Sequence, residues 1–249
     1  MATPLSLNTL DQLADTIGKP SYARADLSAG ILHFGVGNFH RAHQATYLHQ
    51  LFNQGKGHDW AIVGAGVMEG DKRARDVLAA QDWLTTLVEQ EADHSGAQII
   101  GSMVDYVEPA NAAAIIEKLA DPAIRIVSTT ITEGGYFLDA TDTFDPAHPA
   151  IAHDGANPDA PKTVFGMIVA GLKRRVAEGT APFTVMCCDN IPHNGKVTRN
   201  AVVGTAKLSD PAFAEWIYEN VAFPNSMVDR ITPATSDRER QIAADEYGI

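Results

Sequence analysis

Two glycines one residue apart, Gly35 and Gly37, stand between the apolar run ILHF (31–34) and a helix-like stretch, NFHRAHQ (38–44). Glycine at such a strand-to-helix turn has a mechanical use. The first permits the tight turn, and the second lets a diphosphate approach bare amides at the helix N-terminus. The usual dinucleotide fingerprint would place a third glycine where His40 stands, and Arg41 follows it. That substitution implies looser helix–strand packing or an imidazole beside the phosphates, and Arg41 offers a fork suited to a phosphate. The plainer alternative has His40 capping the helix and Arg41 facing solvent.

A second pair, Gly64 and Gly66, ends the next apolar run and is followed by Glu69 and Asp71. In a dinucleotide fold this second strand supplies the acid that binds the adenosine ribose, and an acid there repels the extra 2′-phosphate of NADP. Lys72, Arg73 and Arg75 lie beside it and pull the other way. His40 and His43 share a helix face, a spacing that suits a metal, but no third ligand accompanies them. The only cysteines, Cys187 and Cys188, are adjacent and read as two buried thiols of a reducing compartment.

The elements that must position these residues alternate. Strands are expected at 31–34, 60–64, 83–90, 97–107, 124–131 and 183–188. Helices are expected at 42–52, 71–81, 111–120, 161–177, 193–208 and 210–221, with a short one, capped by Ser6 or Asn8, near the start. The segments 91–96 and 139–161 read as loops, the latter long and rich in Asp, Ala and Pro. Continuous apolar strands alternating with helices specify an α/β, Rossmann-like doubly wound, mostly parallel sheet. The expected layout is a helical lead-in at 1–28, a dinucleotide-binding domain at 29–235 and, at 236–249, the start of a linker to a further, helical domain.

A formal net charge of −12 with scattered acids leaves no basic footprint for nucleic acid or an anionic membrane. No apolar run reaches membrane-spanning length, so a cytoplasmic protein is expected. Its partner would be a small molecule; oligomeric state is left open.

Three more stretches, IRIVSTTITEGGYF (124–137), FTVMCCDNIPHNGKVTRNAV (183–202) and ENVAFPNSMVDRITPAT (219–235), join GVGNFHRAHQ (35–44) in chain order. Together they resemble the mannitol dehydrogenase family of polyol-specific long-chain dehydrogenases. Residues 80–87 and 160–166 agree best with its mannitol 2-dehydrogenase branch. The resemblance implies NAD-dependent oxidation of a secondary alcohol of a sugar alcohol, with a polyol or ketose as substrate, no metal, and NADP less favoured. Hexuronate reduction by the same machinery and a non-catalytic NAD-binding fragment are the rival readings, the first disfavoured by the acidic charge.

Residue by residue, the resemblance implies a cofactor loop of Ile31, Phe34, Gly35, Val36, Gly37, Asn38, Phe39, His40, Arg41 and Ala42, since the family itself carries histidine at the third position. Asp71 matches the ribose ligand, with Glu69 as its neighbour. Asn190 matches an asparagine that binds the reacting oxygen, Asp229 a residue near the substrate hydroxyls, and Glu133 an acid near the nicotinamide end. An amide stabilises a developing alkoxide, and a carboxylate accepts from sugar hydroxyls or relays protons. The alternatives are a helix cap for Asn190 and a local ion pair of Asp229 with Arg230. The resemblance also implies a lysine–asparagine–histidine base on a second domain. Lys196 with Asn200 has no histidine behind it, so this chain reads as the cofactor half of a longer enzyme, inactive alone.

Overall fold

A computed structural model describes residues 3–90, 95–230 and 232–249. Its strands are β1 (Ala29–Phe34), β2 (Ala61–Ala65), β3 (Thr85–Gln90), β4 (Ser95–Ile100), β5 (Met103–Tyr106), β6 (Ile126–Thr129) and β7 (Thr184–Cys187). The α-helices are α1 (Ala45–Asn53), α2 (Asp71–Ala80), α3 (Ala112–Ala120), α4 (Pro149–Ala156), α5 (Val164–Ala177), α6 (Asn194–Ser209), α7 (Pro211–Asn220) and α8 (Asp237–Tyr247).

Five strands pair in parallel in the order β5–β2–β1–β6–β7. The chain winds outwards from β1 in both directions, so the loops leaving β1 and β6 diverge and open a crevice at their C-terminal ends. Strand period decides what each face buries. Leu32 and Phe34 of β1 join Val63, Val127 and Val185 and pack under Ile115, Leu119, Phe165, Ile168 and Leu172 of α3 and α5. Ile31 faces the other way, with Ile62, Ile100 and Ala45 of α1. Both faces are covered, which is why the strands read as mostly apolar runs.

β3 and β4 form an antiparallel hairpin inserted between α2 and β5. The lead-in is a 3-10 helix, Leu7–Gln12, started by Ser6 rather than Asn8. Leu13 and Ile17 beyond it bury against Leu84, just before the hairpin, and Ala97 and Ile99 of β4, and Tyr247 and Ile249 close the same cluster. Thus 236–249 is a capped helix whose end packs on the lead-in. Residues 91–94 of the expected loop lie outside the described residues.

The long loop expected at 139–161 is not wholly irregular: α4 lies inside it. Ile151 is fully buried, and the Asp154 carboxylate, also buried, accepts from Lys162 N (2.8 Å), Thr163 N (2.9 Å) and Thr163 Oγ1 (2.6 Å). A one-turn apolar signal among Asp, Ala and Pro hides a helix whose task is to hold the start of α5. Cys187 is buried as expected, whereas Cys188 is only half-buried. No helix among the described residues is long and apolar enough to cross a membrane.

Candidate functional site

The crevice has a volume of about 960 Å³ and is floored by Phe34, Gly35, Ala65 and Gly66 at the ends of β1 and β2. Thr130, Ile131 and Thr132 after β6 form one wall, Met68, Glu69 and Asp71 the other, and Thr163, Val164 and Met167 of α5 close it.

Gly35 is compelled by packing: its φ is +94°, and a Cβ there would lie 2.0 Å from the Thr130 carbonyl oxygen. Gly37 is not compelled by the chain. Its φ is not positive, and a Cβ would meet only Gly35 O, at 3.8 Å. The amide of Val36 takes no partner among the described residues. Open space over one glycine beside an unclaimed amide at a helix start is what an incoming phosphate needs. The residues fit a dinucleotide.

His40 is neither beside that space nor a cap. It is fully buried, lying flat on His33 with ring centroids 3.9 Å apart. An imidazole where the fingerprint has glycine needs room between helix and strand. The backbone provides it as a π-helical turn, His40–Gln44, with Ala45 N bonded to His40 O. Burial drives the His40 pKa down to about 4, and that of His33 well below its ordinary value, with His40 adding to the effect. Arg41 folds back on the loop: its Nε donates to Gly37 O (3.3 Å) and its Nη2 to Asn38 Oδ1. It lines a separate groove, shared with Asn38, Ala42, the hairpin and α8, not the main crevice. Ile31 is core beneath the loop, and Phe39 tilts onto His43 at 5.0 Å. His40 and His43 do not converge, and the described residues hold no cluster of three or more metal-binding side chains.

Asp71 and Glu69 both reach the crevice. Asp71 Oδ2 accepts from Met68 N at 3.0 Å and lies so close to Gly66 that a Cβ there would stand 2.4 Å away. Glu69 is exposed. Of the nearby cations, Arg75 is engaged by Asp76 (3.1 Å) and Glu108 (3.8 Å), and none of Lys72, Arg73 and Arg75 lines the crevice.

Asn190 follows β7, is exposed, and makes no side-chain hydrogen bond among the described residues. It does not cap the next helix: α6 begins at Asn194 after His193, and Asn225 Oδ1 accepts from Gly195 N (3.0 Å). Glu133 opens a 3-10 turn, Glu133–Tyr136, after Thr132, whose φ of 64° is strained for a branched residue. Asp229 is exposed and forms no ion pair with Arg230.

The residues that gather these three were not singled out from sequence. Asp189 accepts from Ile131 N (2.9 Å), Thr132 N (3.1 Å) and Tyr136 OH (2.6 Å), tying the Glu133 turn to the strand end that carries Asn190. Burial raises the Asp189 pKa, opposed by those three donors. Asn194 is buried. It donates to Asp189 O (3.2 Å) and Ser226 O (3.0 Å) and accepts from Ser226 N (2.9 Å). The segment leading to Asp229 is thereby pinned at the same sheet edge. Asp189 had one visible signal, its place beside Asn190; Asn194 had its place before Gly195.

A parallel sheet wound 3-2-1-4-5 with an anion-ready glycine loop and an acid after the second strand defines a dinucleotide-binding Rossmann domain. Residues 29–247 match the model of the mannitol dehydrogenase Rossmann domain, and the chain belongs to that family. It is 56% identical over 229 residues to a mannitol 2-dehydrogenase of Cereibacter sphaeroides, covering 92% of this chain and 48% of that protein. Among solved structures it superposes on a Pseudomonas fluorescens mannitol 2-dehydrogenase in ternary complex with NAD and D-mannitol, with a TM-score of 0.94 and 50% identity. That match covers 98% of this chain and 50% of the other. A D-sorbitol dehydrogenase in substrate-free form superposes with a TM-score of 0.91 at 43% identity, over 98% of this chain and 51% of that one. The chain spans about half the length of the relatives it matches.

Proposed function

We propose that this chain binds NAD in the crevice and forms the cofactor-holding half of an NAD-dependent polyol dehydrogenase. The reaction is oxidation of a secondary alcohol of a sugar alcohol, mannitol to fructose or a similar pair. The observation that carries the reading is the open space over Gly37 beside the unclaimed Val36 amide, in a chain 50% identical to a protein whose structure holds NAD and D-mannitol.

In this reading the diphosphate lies against the loop of Gly35 to Asn38. Asp71, with Glu69 beside it, receives the adenosine ribose hydroxyls, which favours NAD over NADP because a 2′-phosphate would meet carboxylate charge. NAD, when bound, supplies the hydride acceptor. The chain's own residues serve the other end. The Asn190 amide donates to the reacting oxygen, Asp229 accepts from neighbouring substrate hydroxyls, and Glu133 carries the released proton towards solvent. The base that takes the hydroxyl proton is supplied by the remainder of the full-length protein.

Calorimetric titration of the purified chain with NAD and NADP tests the first part: NAD binds and NADP binds more weakly. Formation of NADH from mannitol, arabinitol or sorbitol tests the second, with hexuronates as the rival substrates in reverse. The 249-residue chain alone gives no turnover, and the full-length protein does. Turnover of ~10 per second by the chain alone would place the base within it and overturn that division of labour.

A further inference from the structure

His33 is the one polar side chain in the run ILHF, yet it is fully buried under the crevice. Its Nε2 lies 3.1 Å from Gly35 O and 3.0 Å from Thr130 Oγ1, and Thr130 Oγ1 itself donates to Gly35 O at 2.6 Å. A carbonyl oxygen only accepts, and the Thr130 hydrogen is already committed, so Nε2 must carry the proton. Nδ1 is then a bare acceptor. The atom facing it, Ser128 Oγ at 2.8 Å, must donate. Ser128 Oγ in turn accepts from Gln44 Nε2 at 2.9 Å, which leaves Gln44 Oε1 to accept from His40 Nδ1 at 3.1 Å. One carbonyl thus fixes the direction of every hydrogen bond from the π-helical turn to the glycine loop. It also makes His40 Nε2, which has no partner among the described residues, a bare lone pair rather than an unpaired N–H.

We infer that His33 is a positioning residue for the diphosphate loop: by holding the Gly35 carbonyl down, it turns the Val36 N–H outwards towards an incoming phosphate. The physical link is the planar trans peptide, in which the C=O of one residue and the N–H of the next point in opposite directions. Gly35 O is gripped from the sheet by His33 and Thr130 and from the loop by Gly37 N at 2.7 Å. The peptide cannot flip without breaking all three bonds. Burial keeps His33 neutral, so the tautomer persists. His40, stacked on His33 and joined to it through Gln44 and Ser128, fixes the ring's orientation. The histidine in the third-glycine position therefore serves the loop from beneath, without touching a ligand.

This rests on the reading that the loop receives the diphosphate of NAD. Three variants of the chain, His33→Leu, His33→Gln and Thr130→Val, are titrated with NAD and with adenosine, which lacks the phosphates. His33→Leu should lose about tenfold or more in NAD affinity, the worth of one hydrogen bond to a charged group, with adenosine affinity unchanged. His33→Gln, which keeps an N–H donor at similar reach, should recover most of the loss, and Thr130→Val should resemble His33→Leu in kind. Equal losses for NAD and adenosine, or no rescue by glutamine, overturn the inference while the functional reading stands. A chain that binds no NAD at all refutes both. Independently of any variant, ¹⁵N NMR of the unsubstituted chain should show His33 protonated at Nε2 and His40 at Nδ1; a proton on His33 Nδ1 overturns the inference even if every variant unfolds.

Discussion

Gly37→Ala should leave the fold intact and weaken NAD binding about tenfold or more, a separation of effects that few substitutions offer. The added methyl meets nothing closer than Gly35 O at 3.8 Å, and the residue has no positive φ to strain. On the chain's own account alanine is acceptable, and its smaller unfolded-state entropy stabilises by ~0.4–1 kcal/mol. A phosphate seated on the loop would share the same space. Displacing it costs at least one hydrogen bond to a charged group, ~1.5–3 kcal/mol, or about tenfold or more in Kd. Gly35→Ala is the contrasting control. With φ at +94° and a Cβ 2.0 Å from Thr130 O, it must move backbone, at a cost above the ~1–2 kcal/mol of the left-handed region alone. Urea unfolding and calorimetry on the same preparations read both quantities. A Gly37→Ala protein that unfolds at an unchanged or higher urea midpoint and binds NAD as before would show that the open space is not where the diphosphate lies.

Asp71→Ala should narrow the gap between NAD and NADP by removing charge from the ribose wall; unchanged relative affinities, read by calorimetry, would transfer that role to Glu69. Asp189→Asn keeps the shape but not the charge that holds Ile131 N, Thr132 N and Tyr136 OH. It should destabilise by ~1–3 kcal/mol and loosen the Glu133 turn, seen as faster amide exchange at Thr132, with protection at Val63 unaffected; uniform exchange behaviour would argue against a local role. Acid sensitivity follows from His40 and His49, both held by burial near a pKa of about 4 against an ordinary 6.5. The unfolded chain binds protons there below about pH 6.5 while the folded chain does not, so stability is intact above 6.5 and falls as pH drops towards 4. The slope is roughly 1.4 kcal/mol per pH unit for each histidine, and a urea midpoint flat from pH 7 to pH 5 contradicts it.

The sheet was legible because parallel strands buried on both faces are mostly apolar, and ILHF, AIVGA and IRIV carry that signal despite the buried His33. The glycine loop was legible as a pattern but not as a geometry. Nothing in the letters distinguishes Gly35, which packing demands, from Gly37, which packing does not. His40 was harder still, since an imidazole at a helix start can cap, face a ligand or turn inwards. The choice depends on a partner, His33, seven residues earlier on the strand below, and on a π-turn that no periodicity announces. Asp189 and Asn194 escaped notice for a related reason: apart from the bond between them, their side chains bond to turns 32 to 58 residues away in sequence. The helix α4 was missed because its single buried aliphatic, Ile151, and its buried Asp154 look like surface residues when read locally.

The crevice and the residues proposed for the reacting end, none of which lines it, differ in how complete they are. At the nucleotide end the chain supplies a floor, an aimed amide, an acid held by a backbone N–H and a closing helix. Asn190, Glu133 and Asp229, proposed above for the reacting end, are exposed to water, where a hydrogen bond to a developing alkoxide is worth little because solvent competes for it. The segments that carry these three are tied to one sheet edge by Asp189, whose pKa burial raises, and by the buried Asn194. An arrangement held this firmly yet left wet gains catalytic strength only when something covers it. The relatives are about twice as long as this chain. On the functional reading proposed above, in which the remainder of a full-length protein brings the proton acceptor, that remainder would also cover these residues and exclude water. Asn190→Ala therefore separates the two ends: NAD affinity of the chain should not change, while turnover by the full-length protein should fall by ~10²-fold or more, as for loss of an oxyanion donor. An equal fall in NAD affinity would place Asn190 on the nucleotide instead.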